Sequence, residues 1–131
     1  MMASRMRSPL GRAMGLGSAK EGVEHWWAQR ITAIALVPLS LWFAASIISL
    51  VGADIETMQN WVGLPLPAIL LILLLIATFY HVSLGLQVVI EDYVHAELAK
   101  IGLVVAVRLL SFGFAVAGIF AVLSIALGST S

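Results

Sequence analysis

Three side chains in the middle of the sequence have types and spacing that suit chemistry: His81, Asp92 and Tyr93. His81 lies inside the most apolar segment of the chain, and Asp92 and Tyr93 lie where that segment ends. In a helix, the rise of about 1.5 Å per residue puts Tyr93 roughly 18 Å further along the axis than His81. If the segment spans a bilayer, His81 is near mid-depth and Tyr93 is at the water boundary.

An imidazole at mid-depth needs a partner, because a polar ring in hydrocarbon is costly. Haem b takes imidazole ligands in an apolar slot between helices, so His81 is a candidate haem ligand. With one such histidine, the second axial ligand must come from another chain. The alternative is that His81 is a hydrogen-bonded packing residue of a helix bundle.

The pair Asp92–Tyr93 suits a polar head group at the membrane boundary. The Tyr93 hydroxyl can donate to a quinone carbonyl, and Asp92 can orient it or relay protons. Quinone reduction consumes protons, which water supplies at the boundary. The alternative is that Tyr93 anchors the helix in the aromatic belt of the membrane.

Other residues have weaker claims to a role. His25 and His95 are predicted at the surface, where an imidazole is ordinarily solvated. Arg30 directly precedes an apolar run, so it either marks the membrane flank or reaches a haem propionate or quinone carbonyl. Arg108 either snorkels to the surface or pairs with an acid inside the bundle. Gly85, one turn after His81, would let a planar ring approach the backbone closely.

The composition is that of an integral membrane protein. Hydrophobic residues make up 61% of the 131 residues and charged residues 11%, with a mean hydropathy of +1.05, whereas about a quarter of a soluble domain is charged. The absence of cysteine excludes disulfides and thiolate metal sites within the chain. Formal net charge is zero, and the basic residues flank apolar segments. Nucleic-acid binding is therefore not indicated.

Three apolar segments predict an all-α integral membrane protein with three transmembrane helices. The predicted spans are residues 31–51, 66–90 and 103–127, each near the 20 or so residues needed to cross a bilayer. Residues 31–131 would form one three-helix anchor domain, with short loops between the spans. Residues 1–30 would form a cytoplasmic arm, and Gly and Ser at high density oppose a helix over residues 1–24.

All basic residues fall on one side of the predicted membrane, and the first loop and the C-terminus carry none. By the positive-inside rule, the N-terminus is cytoplasmic and the C-terminus is periplasmic. Asp92 and Tyr93 then face the cytoplasmic boundary. The basic residues are Arg5, Arg7, Arg12, Lys20, Arg30, Lys100 and Arg108.

Two stretches resemble a known family. The pattern His81-x-x-x-Gly85-Leu-Gln-Val-Val-Ile-Glu-Asp92-Tyr93 resembles the membrane anchor of succinate dehydrogenase (respiratory complex II), in its D-subunit, small cytochrome b branch. The run Gly-Leu-Gly-Ser18-Ala-Lys-Glu-Gly22, followed by His25-x-x-x-Gln29-Arg30-x-Thr32-Ala, is similar to bacterial members of that branch. The resemblance covers nearly the whole chain, including the span count.

The resemblance implies a role for each candidate residue. His81 would be one axial ligand of the iron of a haem b shared with the cytochrome b C subunit, which would supply the other. Tyr93 would hydrogen-bond ubiquinone, with Asp92 beside it, at a site completed by the iron–sulfur subunit and the C subunit. Arg30 matches an arginine near the haem and quinone. The flavoprotein subunit, with its FAD, and the iron–sulfur subunit would oxidise succinate on the cytoplasmic face, so this chain would hold no succinate site.

The implied location is the bacterial inner membrane, in contact with lipid. A mitochondrial inner membrane is the alternative, because residues 1–24 are Arg-rich and low in acids, as transit peptides are. One functional alternative is a non-redox three-span structural or assembly subunit of another membrane complex. Another is a fragment of a proton-coupled transporter that uses His81 and Arg108. A haem absorption band would distinguish the redox anchor from both.

Overall fold

A computed structural model describes the backbone of residues 9–128 and the side chains of residues 22–128, and within this part of the chain there is no strand. Three long helices contain the candidate membrane spans, which are 28, 29 and 32 residues long. They confirm the predicted all-α fold with three spanning segments. The helices are α1 (Pro9–Ser49), α2 (Ile55–Val62), α3 (Pro65–Tyr93) and α4 (Glu97–Gly128).

The N-terminal part of α1 departs from the prediction. The sequence predicts no helix before residue 24, yet α1 begins at Pro9 and continues unbroken into the first span. The prediction is wrong because helix propensity is a weak prior. Once the apolar span is helical, extending this helix toward the N-terminus avoids the free-energy cost of nucleating a separate helix. Residues 1–8, with Arg5 and Arg7, lie outside the described residues.

A short helix occupies the first connection, which the sequence predicts to be a loop. After α1 ends, Gly52 takes a φ of 84°, a conformation that favours glycine. Asp54 then caps α2 by accepting a hydrogen bond from the backbone N–H of Thr57 at 2.8 Å. Hydrogen bonds from Thr57 also lower the pKa of Asp54 below its ordinary value. Trp61 of α2 stacks on Trp42 of α1 with 5.7 Å between ring centroids, which ties the connection to the first span.

The connection between α3 and α4 is shorter than predicted. α3 begins at Pro65, since a proline at the first helical position gives up an N–H that has no partner there. It ends at Tyr93, and α4 begins at Glu97, so the predicted loop over residues 91–102 shrinks to residues 94–96. The charged residues mark where the chain leaves the hydrocarbon, and a helix can continue beyond that level. Asp92 therefore lies in the last turn of α3.

α3 is the central helix of the fold. It packs against both α1 and α4, whereas α1 and α4 make no close backbone contact with each other within the described residues. Two contacts with each neighbour show that both run antiparallel to α3: Thr32–His81 and Gln29–Gly85 for α1, and Arg108–Gln87 and Gly118–Leu75 for α4. Arg30, in α1, therefore lies near the level of His81 and Gly85, on the side of His81 toward Tyr93 and the start of α4. We call this half of the bundle, which also carries Lys100 and Arg108, the basic end.

Few side chains are buried among those that the structure describes. The large apolar side chains are mostly exposed, as expected for helices that face lipid or partner subunits. The buried hydrophobic residues are Ala68, Ala77, Leu84, Ile90 and Val122.

The helices α3 and α4 approach closely at Gly118, and this contact gives the first testable prediction. A Cβ added at Gly118 would lie 3.0 Å from both terminal methyl carbons of Leu75. We expect Gly118→Val to destabilise the chain by about 1–3 kcal/mol, as overpacking typically does. Thermal unfolding in detergent measures the loss. Gly113→Val is the matched control, because a Cβ at Gly113 meets no described atom within 4 Å. Equal loss in both variants would contradict a tight contact at Gly118.

Candidate functional site

His81 lies on the face of α3 that packs against α1, and its side chain is half-buried. Its Nδ1 is 3.0 Å from the hydroxyl oxygen of Thr32 on α1. The same hydroxyl oxygen lies 2.8 Å from the carbonyl oxygen of Ala28 and 3.0 Å from that of Gln29. Within the described part of the chain, His81 Nε2 forms no hydrogen bond. The ring is thus held through one nitrogen and open at the other, the arrangement of a histidine that ligates a metal.

Among the described residues, His81 has no other potential metal ligands grouped with it, and this limits the kinds of metal site that it could form. Among the described residues, no three His, Asp or Glu side chains converge. A lone imidazole suits haem iron, because the macrocycle itself supplies most of the ligands and the protein only the axial ones. A structural zinc site would need several protein ligands together.

Gly85, one turn beyond His81, also faces α1. A Cβ built on Gly85 would lie 4.0 Å from the side-chain nitrogen of Gln29, which is an ordinary van der Waals contact. The Gln29 side chain therefore lies over this glycine. The approach of a planar ring to the backbone at Gly85 stays a prediction.

Arg30 lies two residues before Thr32 in α1, and therefore near the level of His81 on α3. Its guanidinium carbon is 5.3 Å from the centroid of the Trp26 ring, a cation–π distance. Trp26 in turn meets Trp27 edge-to-face, with centroids 5.0 Å apart. All three side chains are exposed. A cation held above an indole on the exposed side of the helix is available to a propionate, a quinone or a lipid head group.

Asp92 and Tyr93 stand exposed in the last turn of α3. Tyr93 is 77% exposed, and neither side chain forms a hydrogen bond with another described residue. Tyr93 lies twelve residues after His81 in one continuous helix, so the predicted separation of roughly 18 Å along the axis holds. The structure does not bring His81, Arg30 and Tyr93 together into one pocket of this chain. The phenol is open to a ligand or a partner subunit.

A chain of polar side chains links α3 to α4 beside Asp92. Arg108 donates from Nη2 to the Gln87 amide oxygen at 2.7 Å, and the Gln87 amide nitrogen donates to a Glu91 carboxylate oxygen at 2.9 Å. Arg108 thus reaches an acid through an amide. The sequence offered one signal, because Gln87 and Glu91 are four residues apart on a helix. We call these three residues the Arg108–Gln87–Glu91 chain.

A cavity of about 650 Å³ opens between α1 and α4 over α3. His81 does not line it. His25 does, and its Nε2 is buried without a hydrogen-bond partner among the described residues. The prediction that His25 lies at the surface is therefore wrong, because the helical continuation of α1 lays it against the bundle; His95 is exposed. The polar residues of the lining are Glu24, His25, Tyr80, Ser83, Arg108 and Ser111.

Comparison with known proteins gives one consistent family. The family model described as succinate dehydrogenase/fumarate reductase transmembrane subunit matches residues 4–125. The chain is 39% identical over 121 residues to a succinate dehydrogenase hydrophobic membrane anchor subunit of Rickettsia bellii, covering 92% of this chain and 97% of the relative. It is 32% identical over 127 residues to the protein of the same description in Paracoccus denitrificans, covering 95% and 96%. A succinate dehydrogenase membrane anchor subunit of Reclinomonas americana is 30% identical over 95 residues, covering 70% and 79%.

Three helices that are long and apolar enough to cross a membrane define a small multi-pass membrane protein. The chain belongs to the family of succinate dehydrogenase and fumarate reductase transmembrane subunits.

Proposed function

We propose that this chain is the hydrophobic membrane anchor subunit of succinate dehydrogenase. It holds the flavoprotein and iron–sulfur subunits at the membrane, where they oxidise succinate and so link the tricarboxylic acid cycle to the respiratory chain. The observation that carries the proposal is the His81 ring, which lies within a membrane span, is fixed at Nδ1 by Thr32 and is open at Nε2. The match to curated anchor subunits over most of the chain supports it.

In this proposal His81 would hold the iron of a haem b through Nε2, and the cytochrome b C subunit would supply a second ligand. When bound, haem b supplies a one-electron redox centre inside the membrane. The contact with α1 holds the His81 ring, and the apolar faces of α1 and α3 keep water away from it. Arg30, exposed at the basic end, is placed to bind a propionate or to lie near the quinone.

The quinone site that we propose lies at the end of α3. The Tyr93 hydroxyl donates a hydrogen bond to a carbonyl of ubiquinone, and Asp92 orients the phenol or relays protons from water. The exposure of both side chains leaves them accessible to a ligand and to the partner subunits that complete the pocket. The Arg108–Gln87–Glu91 chain fixes the last turns of α3, and thereby the position of Tyr93.

The basic end faces the cytoplasm in this proposal. The positive-inside rule puts the Arg- and Lys-bearing side of a membrane protein there, so the N-terminus is cytoplasmic and the C-terminus periplasmic. Tyr93 then lies on the side where the soluble subunits dock. Bacterial relatives, from Rickettsia and Paracoccus, favour a bacterial inner membrane.

Purification of the complex through a tag on this chain tests the proposal. We expect FAD- and iron–sulfur-containing subunits to co-purify, a b-type reduced-minus-oxidised spectrum, and succinate-dependent reduction of ubiquinone. A complex without flavin or haem would contradict the proposal and favour a non-redox structural subunit. A complex with flavin but no haem would retain the anchor role and remove the role of His81 as a ligand.

A further inference from the structure

The Thr32 hydroxyl is the contact that decides how His81 is held. A threonine hydroxyl has one proton and two lone pairs. Its oxygen lies 2.8 Å from the carbonyl oxygen of Ala28, 3.0 Å from that of Gln29 and 3.0 Å from His81 Nδ1. Carbonyl oxygens can only accept. The single hydroxyl proton therefore goes to the backbone, and the contact with the ring is a hydrogen bond only if Nδ1 donates.

The backbone contacts also fix the hydroxyl in place. A β-branched side chain has few χ1 rotamers in a helix, and a threonine that bonds back to the preceding turn occupies a defined one. The Thr32 oxygen therefore presents its lone pair to α3 from a fixed position. Because both residues lie within membrane spans, an Nδ1–H without this acceptor would be left unpaired at a cost.

From this geometry we infer that Thr32 is a positioning residue for the haem ligand, which holds His81 as the tautomer protonated at Nδ1 and leaves the Nε2 lone pair for iron. The inference rests on the proposed function. A histidine ligand that donates its second N–H to an acceptor is fixed in orientation and is more basic. A more basic ligand stabilises ferric over ferrous iron, so the Thr32 contact lowers the haem midpoint potential.

Three variants of the assembled complex test this role. Thr32→Val keeps the shape of the side chain and removes the hydroxyl, and Thr32→Ser keeps the hydroxyl. Thr78→Val is the matched control, because Thr78 lies on α3 near His81, is half-buried, and forms no side-chain hydrogen bond with another described residue. The readouts are haem content per complex, the midpoint potential from a redox titration of haem absorbance, and the electron paramagnetic resonance spectrum of the ferric haem.

We expect Thr32→Val to weaken haem binding by about 10-fold or more, the range seen when a partner of a metal ligand is lost. Its midpoint potential should rise, and its ferric haem signal should shift because the imidazole plane is no longer fixed. Thr32→Ser and Thr78→Val should match the wild type in all three readouts. If Thr32→Val does not assemble, Thr32→Ala makes the same test with a smaller side chain.

An unchanged potential and ferric signal in Thr32→Val or Thr32→Ala would overturn the inference and leave the proposed haem site intact. So would a shift in Thr32→Ser equal to that in Thr32→Val. A shift in Thr78→Val as large as that in Thr32→Val would also overturn it, because the effect would then be one of packing. A wild-type complex that carries no haem would overturn the proposed haem site itself, and the inference with it.

Discussion

Replacing His81 with alanine is expected to remove haem b from the purified complex while the helices remain folded. His81 is the described histidine whose ring lies at the contact between α1 and α3, paired at Nδ1. His95 is exposed in the connection after α3, and His25, although within the first candidate span, lines the cavity, which His81 does not line. We therefore expect neither of the other imidazoles to take over the axial position. We expect the haem-to-flavin ratio to fall at least about 10-fold, as losses around metal sites typically do.

The reduced-minus-oxidised spectrum of the complex, normalised to flavin, measures this loss. His95→Ala is the matched control, because it deletes an exposed imidazole and should leave the haem-to-flavin ratio unchanged. Circular dichroism of His81→Ala should keep the helical signal, since a half-buried ring that packs with Thr32 is not the centre of a core. A full b-type spectrum in His81→Ala would remove this residue from the haem site.

Tyr93→Phe is expected to slow ubiquinone reduction about 5-fold while succinate oxidation with an artificial acceptor continues. The variant removes one hydroxyl and keeps the ring, so it deletes the hydrogen bond to the quinone carbonyl. A hydrogen bond contributes about 1 kcal/mol, and about 1.4 kcal/mol corresponds to a tenfold rate change. Succinate is oxidised in the partner subunits, which this change does not touch.

Parallel assays with ubiquinone and with an artificial acceptor measure the two activities in the same preparation. Tyr80→Phe is the matched control, because Tyr80 is on the same helix, is 50% exposed, and lines the cavity well before the end of α3. It should leave both activities near the wild-type rates. An equal loss of both activities in Tyr93→Phe would mean that the residue supports assembly and not the quinone site.

The sequence predicts those parts of the fold that depend on local pattern. Runs of aliphatic residues reveal three spans, and the one-sided basic residues predict which helix ends lie together. The ends of the helices are predicted less accurately, because charged residues show where the chain leaves the membrane and not where the helical hydrogen bonds stop. Glu91 and Asp92 are for this reason the last turn of α3 and not a loop. The pattern does not predict α2, because Asp54 and Glu56 are typical of a loop, although Asp54 is also a typical N-cap residue.

The candidate site also has a part that the sequence can predict and a part that only the packing of the helices shows. The types of His81 and Tyr93, and their spacing along one apolar segment, make them candidates for a haem ligand and a quinone contact, and both roles stay predictions. The partner of His81 could not be predicted, because Thr32 is 49 residues away in the sequence and only the packing of α1 on α3 joins them. From sequence alone, the Thr32 hydroxyl is expected only to hydrogen-bond back to its own helix. The structure adds its contact with His81 Nδ1.

The small buried core of this chain bears on how the cell controls its amount. Only five side chains are buried among those described, and α1 and α4 make no close backbone contact with each other within the described residues, so most of the contact surface is left for lipid and other subunits. A copy made in excess of its partners has few internal contacts to stabilise it, and local opening would make its backbone accessible to membrane proteases. We expect the lifetime of the unassembled chain to be short. Its abundance would then follow the supply of partner subunits and not its own rate of synthesis.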